Sequence, residues 1–113
     1  MIEVLKSKIH RAVVTDANIN YEGSITLSSS LIRKAGLVKY EKVLVVDINN
    51  ANRFETYVLE SDVENTVCLN GAAARLVSVG DLIIIMSFRH IDEASAYDYE
   101  PTVVILNEKN EAI

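Results

Sequence analysis

The chain has 113 residues and a formal net charge of −5, from 11 Lys and Arg against 16 Asp and Glu. That length fits one compact domain, and half-apolar composition with four Gly and one Pro excludes a disordered chain. The acidic balance argues against a general nucleic-acid partner, and lone Cys68 excludes an internal disulfide framework and a Cys-based zinc cage.

Glu3 to His10 reads as an extended segment, with Glu3, Leu5, Ser7 and Ile9 on one face. Val4, Lys6, Lys8 and His10 take the other face. Ala12 to Ala17 is a second β-branched run. Asp16 to Asn18 and Asn20 to Gly23 read as turns, and Ser24 to Leu27 as a short strand. Ser28 to Ala35 has helical spacing at Leu31, Ile32 and Ala35, a serine for the N-cap and Gly36 for the C′ position. Lys42 to Ile48 is nearly all apolar and predicts a strand buried on both faces. A turn over Asn49 to Asn52 leads back through a strand from Phe54 to Leu59. Thr66 to Leu69 is a further strand, Asn70-Gly71 a turn, and Ala72 to Ala74 the start of a helical turn. Leu82 to Phe88 follows the Val79-Gly80-Asp81 turn. Its apolar run, Leu82 to Met86, is far shorter than the roughly 20 residues of a membrane helix. Ile91 to Ala96 predicts one helical turn, Thr102 to Leu106 a last strand, and the charged tail a frayed end. No N-terminal run reads as a signal peptide. A mainly β barrel or sandwich with small helices is expected, in a cytoplasmic protein with no membrane partner.

Four places carry residues suited to chemistry. A serine hydroxyl can attack the carbonyl before it, and glycine leaves that carbonyl unhindered, so Tyr21-Glu22-Gly23-Ser24 suits self-processing. A turn into a strand explains the same dipeptide more blandly. Arg53, Glu55 and Tyr57 share a strand face, where Arg53 can grip a carboxylate in two-pronged fashion and Tyr57 can move a proton. A surface Arg–Glu pair is the plainer explanation there. After Asn70, the small residues Gly71, Ala72 and Ala73 let a ligand approach the backbone, or merely pack under another element. Lys8 and His10 share a face and suit an anionic substrate, or a solvated strand. Two histidines without a ligand cluster predict no metal, and Cys68 reads as an inert core thiol. No P-loop, dinucleotide fingerprint or nucleophile elbow is present.

Taken together, the blocks Lys8-x-His10-Arg11, Tyr21-Glu22-Gly23-Ser24, Ala35-Gly36, Arg53-Phe54-x-Thr56-Tyr57, Asn70-Gly71-Ala72-Ala73-Ala74 and Val79-Gly80-Asp81 resemble the pyruvoyl-dependent aspartate 1-decarboxylases. The resemblance runs from Met1 to about Pro101. It implies a double-psi β-barrel in a homotetramer with sites between subunits. It implies a zymogen of residues 1–113 that cuts itself between Gly23 and Ser24, giving a 1–23 β chain and a 24–113 α chain. Ser24 would become a pyruvoyl group, with no metal, that forms a Schiff base with L-aspartate. β-Alanine and CO2 would be the products, the former for pantothenate and coenzyme A biosynthesis. By the same resemblance Thr56 polarises the Gly23 carbonyl and Tyr57 donates the proton. Lys8 and Arg53 hold carboxylates, and Thr56, Asn70 and the Gly71 to Ala73 backbone complete the pocket. His10 and Tyr21 are accessory. Some members mature with a separate acetyltransferase-like partner. One departure is Ala51, where the family commonly has Gly; Asn50 and Asn52 beside it tolerate a left-handed backbone.

A different class of function is also open. Gly23 to Leu27 followed by the Ser28 to Gly36 helix is similar to swapped-hairpin DNA-binding regulators. Those would present a basic reading face, and the Arg53 and Asn70 blocks would then have no role.

Overall fold

The computed structural model describes all residues from Met1 to Ile113. It contains strands β1 (Ile2–Val13), β2 (Asp16–Asn18), β3 (Ser24–Ser28), β4 (Lys42–Asp47), β5 (Arg53–Ser61), β6 (Val67–Asn70), β7 (Leu82–Ile91) and β8 (Thr102–Ile105). Helix α1 (Ser29–Ala35) and two 3-10 segments, Gly71–Leu76 and Glu93–Asp98, complete it.

The strands form one mixed sheet in the order β2-β6-β3-β5-β4-β7-β1-β8. Pairs β1–β8, β2–β6 and β3–β5 are parallel, and the rest are antiparallel. Strands β1 and β2 lie six spacings apart in that order, about 29 Å on a flat sheet. Only Val14 and Thr15 join them in the chain, and such a link spans about 10 Å. The sheet must therefore curl back on itself. Backbone bonds stitch the crossing: Val14 N–H to Asp81 O (2.9 Å), Gly80 N–H to Val14 O (2.8 Å) and Thr15 N–H to Val67 O (2.8 Å). This mainly β fold is consistent with a double-psi β-barrel. No helix is long and apolar enough to cross a membrane.

One face of the curled sheet is the core. Ile9, Ile25, Val43, Val45, Val58, Leu69, Ile83 and Ile85 are all buried there. The other face carries the alternate residues. From β1 across β7 and β4 to β5, the register aligns His10, Ile84, Val46 and Arg53 in one row. Lys8, Met86, Leu44 and Glu55 form the next row. Partners in a register share a face, so both rows lie on the outer surface.

Several expectations need correction. Residues 3–10 and 12–13 belong to one long strand rather than two runs, and Asp16 to Asn18 is a strand, not a turn. The register shifts at Lys6 and again at Arg11, whose φ is 68°. These bulges break the simple alternation: Leu5, not Val4, shares the face of Lys8 and His10. The apolar β4 is buried on one face only, because Leu44 and Val46 stay half-exposed. The tail does not fray. Asn110 is buried, its Oδ1 accepts Val13 N–H (2.7 Å), and its Nδ2 donates to Val13 O (2.9 Å) and Asn65 O (3.1 Å). The α1 expectation holds within one residue: Ser28 Oγ caps Leu31 N–H, and Gly36 closes the helix at φ 70°.

Candidate active site

The Gly23–Ser24 peptide sits where β3 begins. Ser24 is fully buried. Its hydroxyl donates to Glu22 O (3.0 Å) and accepts from Asn70 Nδ2 (2.9 Å). Asn70 ends β6 directly opposite Ser24 in the antiparallel register, which is why two residues 46 apart in the chain meet. The same Nδ2 donates to Thr26 Oγ1 (2.9 Å), and Asn70 Oδ1 accepts the Cys68 thiol (3.2 Å).

Gly71 turns the chain out of β6 at φ 65°. A Cβ there would lie 2.6 Å from both the Cα and the N of Gly23, and 3.0 Å from Tyr21 O. No side chain fits between those backbones, so Gly71 is required by close approach as well as by its dihedral. Ala72 and Ala73 continue the 3-10 segment, with Ala73 packed on the core. Tyr21 is exposed. Tyr21, Thr26, Cys68 and Asn70 help line an open cleft of about 490 Å³.

Tyr57 lies on β5 beside this corner. Val58 pairs with Ile25, so Tyr57 and Ser24 are the preceding neighbours on the parallel strands and share the outer face. The Tyr57 ring lies 6.2 Å from that of Tyr40. Thr56 points to the opposite side of β5 from Tyr57, opposite Val43 in the register. Arg53 is exposed and forms no ion pair; Glu55 pairs with Lys42 (3.1 Å) instead of with Arg53.

Lys8 and His10 stand apart from the Ser24 corner. Both lie on β1, four strands from β3 in the sheet order. No hydrogen bond or ion pair joins Lys8, His10 or Arg53 to Ser24 or Asn70 within the chain. Burial, then Lys8 and Arg11, push the His10 pKa below its ordinary value, so its imidazole is neutral at pH 7. His10 Nδ1 is buried without a partner. The chain holds no cluster of three or more His, Cys, Asp or Glu side chains able to bind a metal.

A family model described as aspartate decarboxylase matches residues 1–113. The chain belongs to the aspartate decarboxylase family. It is an enzyme, a carboxy-lyase. It is 53% identical over 110 residues to the aspartate 1-decarboxylase of Campylobacter fetus subsp. fetus, covering 97% of this chain and 96% of the relative. It is 51% identical over 112 residues to that of Campylobacter hominis (99% and 97% covered). It is 54% identical over 110 residues to that of Clostridium botulinum (96% and 87% covered).

Two residues that bond the Asn70 amide escape the motif reading. Thr26 and Cys68 each lie two positions from a candidate, Ser24 and Asn70, and so share its strand face. That spacing was the available signal. Cys68 is half-buried rather than a core thiol, and burial and Asp16 raise its pKa and keep it protonated.

Proposed function

We propose that the chain is a proenzyme that cuts itself between Gly23 and Ser24 and then decarboxylates L-aspartate to β-alanine and CO2 in the cytoplasm. β-Alanine of this origin would feed pantothenate synthesis. The observation that carries the reading is the Ser24 corner: a buried hydroxyl held by Asn70, on a Gly-Ser peptide pressed against Gly71. Family membership supplies the rest of the support.

The steps balance without an outside oxidant. Ser24 Oγ attacks the Gly23 carbonyl, the C–N bond breaks, and the hydroxyl proton passes to the freed nitrogen. Loss of the Ser24 Cα proton then breaks the Cβ–Oγ bond, and Oγ departs in the Gly23 carboxylate. Water replaces the nitrogen, ammonia leaves, and a pyruvoyl group caps residues 24–113. Family resemblance assigns Thr56 the task of polarising the Gly23 carbonyl, although within one chain Thr56 faces away from the side of β5 that Tyr57 shares with Ser24. The buried Ser24 position, beside a Gly71 with no room for a Cβ, suits so small a group. A pyruvoyl ketone at residue 24 would supply a carbonyl for the substrate amine and a sink for the electron pair released with CO2.

The other side chains bind and move protons. Tyr57, next to Ser24 in the register, returns a proton to the substrate carbon. Arg53 grips one carboxylate in two-pronged fashion and Lys8 attracts the other. Asn70 orients the substrate, and the Gly71 to Ala73 backbone and Thr56 close the pocket. Neutral His10 and exposed Tyr21 are accessory. The complete site forms between chains of a homotetramer. Support comes from the outer sheet face, where half-exposed Leu44, Val46, Ile84 and Met86 surround Lys8, His10 and Arg53.

Intact mass under denaturing conditions tests the proposal. Two products are expected, Met1–Gly23 and a pyruvoyl-capped chain of residues 24–113, together with β-alanine formed from aspartate. Ser24→Ala should stay whole and folded. Tyr57→Phe should cut normally and turn over slowly. A wild-type chain that stays whole and makes no β-alanine would refute the reading.

A further inference from the structure

Both N–H groups and the oxygen of the Asn70 side-chain amide are bonded. Its two N–H groups go to Ser24 Oγ and Thr26 Oγ1, and its oxygen accepts the Cys68 S–H. Thr26 lies on β3 two residues beyond Ser24, and Cys68 sits opposite Thr26 in the β3–β6 register. The amide is therefore gripped on both ends by residues of the two strands that bring it to Ser24.

The direction of that grip matters. With the amide reversed, its oxygen would face Ser24 Oγ and the hydroxyl would have to give up Glu22 O to bond it. When the Cβ–Oγ bond breaks, negative charge grows on Oγ. An N–H aimed at Oγ stabilises that charge, whereas a carbonyl oxygen there opposes it.

We propose that Thr26, backed by Cys68, is a positioning residue that keeps the Asn70 nitrogen turned toward Ser24 Oγ and thereby sets the rate of self-cleavage. The proposal rests on the reading that Ser24 is the cleaved residue. Thr26 touches no reacting atom and acts through Asn70.

Cleavage of freshly made precursor, followed by intact mass, provides the test. Thr26→Val keeps the shape and removes the acceptor, and should slow cleavage about fivefold. Thr26→Ser restores the acceptor and should cut within about twofold of wild type. Cys68→Ala should slow cleavage and Cys68→Ser should not, which keeps the test alive if Thr26→Val fails to fold. A second readout needs no cleavage. In the Ser24→Ala chain, the Asn70 side-chain amide protons should be protected from solvent exchange, and adding Thr26→Val should remove that protection. Wild-type cleavage with an unchanged rate in both Thr26→Val and Cys68→Ala overturns the role of Thr26 alone. A wild-type chain that never cleaves overturns the reading of Ser24 along with it.

Discussion

At the Ser24 corner the candidate side chains are already engaged. Ser24 has two hydrogen-bond partners, Asn70 has three, and Gly71 leaves no gap against Gly23. Along the sheet, around Lys8, His10 and Arg53, the outer surface is unfinished. Arg53 has no carboxylate partner, and His10 Nδ1 is buried with nothing to bond, which costs about 1–3 kcal/mol for such a group. Apolar side chains surround these three residues: Leu44, Val46, Ile84 and Met86 are half-exposed, and Phe88, Val103 and Ile105 are exposed. The polar groups of the Ser24 corner are satisfied within one chain, whereas those of the outer face around Lys8, His10 and Arg53 are not.

Complementation between damaged chains would break or sharpen this comparison most. Arg53→Gln should cut normally, because Arg53 makes no contact with the Ser24 corner. Its kcat/KM for aspartate should fall about 100-fold, the loss of a charged two-pronged grip. Ser24→Ala should be inactive. Co-expressed, the two variants should regain a clear part of wild-type turnover, since one chain keeps the processed serine and the other keeps Arg53. Activity no greater than the sum of the separate variants would place Arg53 and Ser24 in one chain's site and break the contrast.

The sequence made much of this legible, and physics explains where it stopped. Period-2 alternation placed Arg53, Glu55 and Tyr57 on one face correctly, because β5 runs without a bulge through them. The same rule failed on β1, where the extra residues Lys6 and Arg11 invert the faces. Arg11 has no Gly or Asn signal for its left-handed φ. The tail looked frayed because the buried anchor Asn110 bonds residues 97 and 45 positions away, which no local pattern reveals. The apolar run of β4 predicted two buried faces, and the single chain buries one. That mismatch itself points to the unfinished outer surface. Gly71 was legible as a tight turn, but its collision partner Gly23 is 48 positions away and needed the fold.

A smaller effect should come from Asp47, which is buried on the core face of β4. Its Oδ1 accepts Asn49 N–H (2.8 Å) and Asn50 N–H (3.2 Å), while Oδ2 is buried without a partner. Burial first, and the neighbouring Asp81, raise its pKa above the ordinary 3.8, although the two N–H bonds pull the other way. The folded chain then holds a proton that the unfolded chain has lost. Stability should fall as pH rises from about 4 toward the raised value. Asp47→Asn keeps an acceptor for both N–H groups and offers Asp81 a donor. It should raise Tm at pH 7 by about 4 °C, equivalent to about 1 kcal/mol, and flatten that part of the pH profile. An unchanged slope would remove Asp47 as its source.

The smallest expected change lies in the turn that carries Arg53. The flanking asparagines do not take the left-handed conformation; Ala51 itself does, at φ 66°. Asn50 and Asn52 serve instead as ties, each donating through Nδ2 to Leu76 O at 2.9 Å. They fasten the turn before Arg53 to the far end of the Gly71–Leu76 segment, so the two halves of the contrast are linked within one chain. An L-residue in this conformation costs roughly 1–2 kcal/mol, and glycine removes that cost but loses about 0.4–1 kcal/mol to a freer unfolded chain. Ala51→Gly should therefore stabilise by about 0.5–1 kcal/mol, raising Tm by a few degrees with cleavage unchanged. Ala51→Val should do the reverse, because a branched Cβ tolerates positive φ poorly. A lower Tm for Ala51→Gly would mean that the asparagine ties, rather than the dihedral at residue 51, limit this turn.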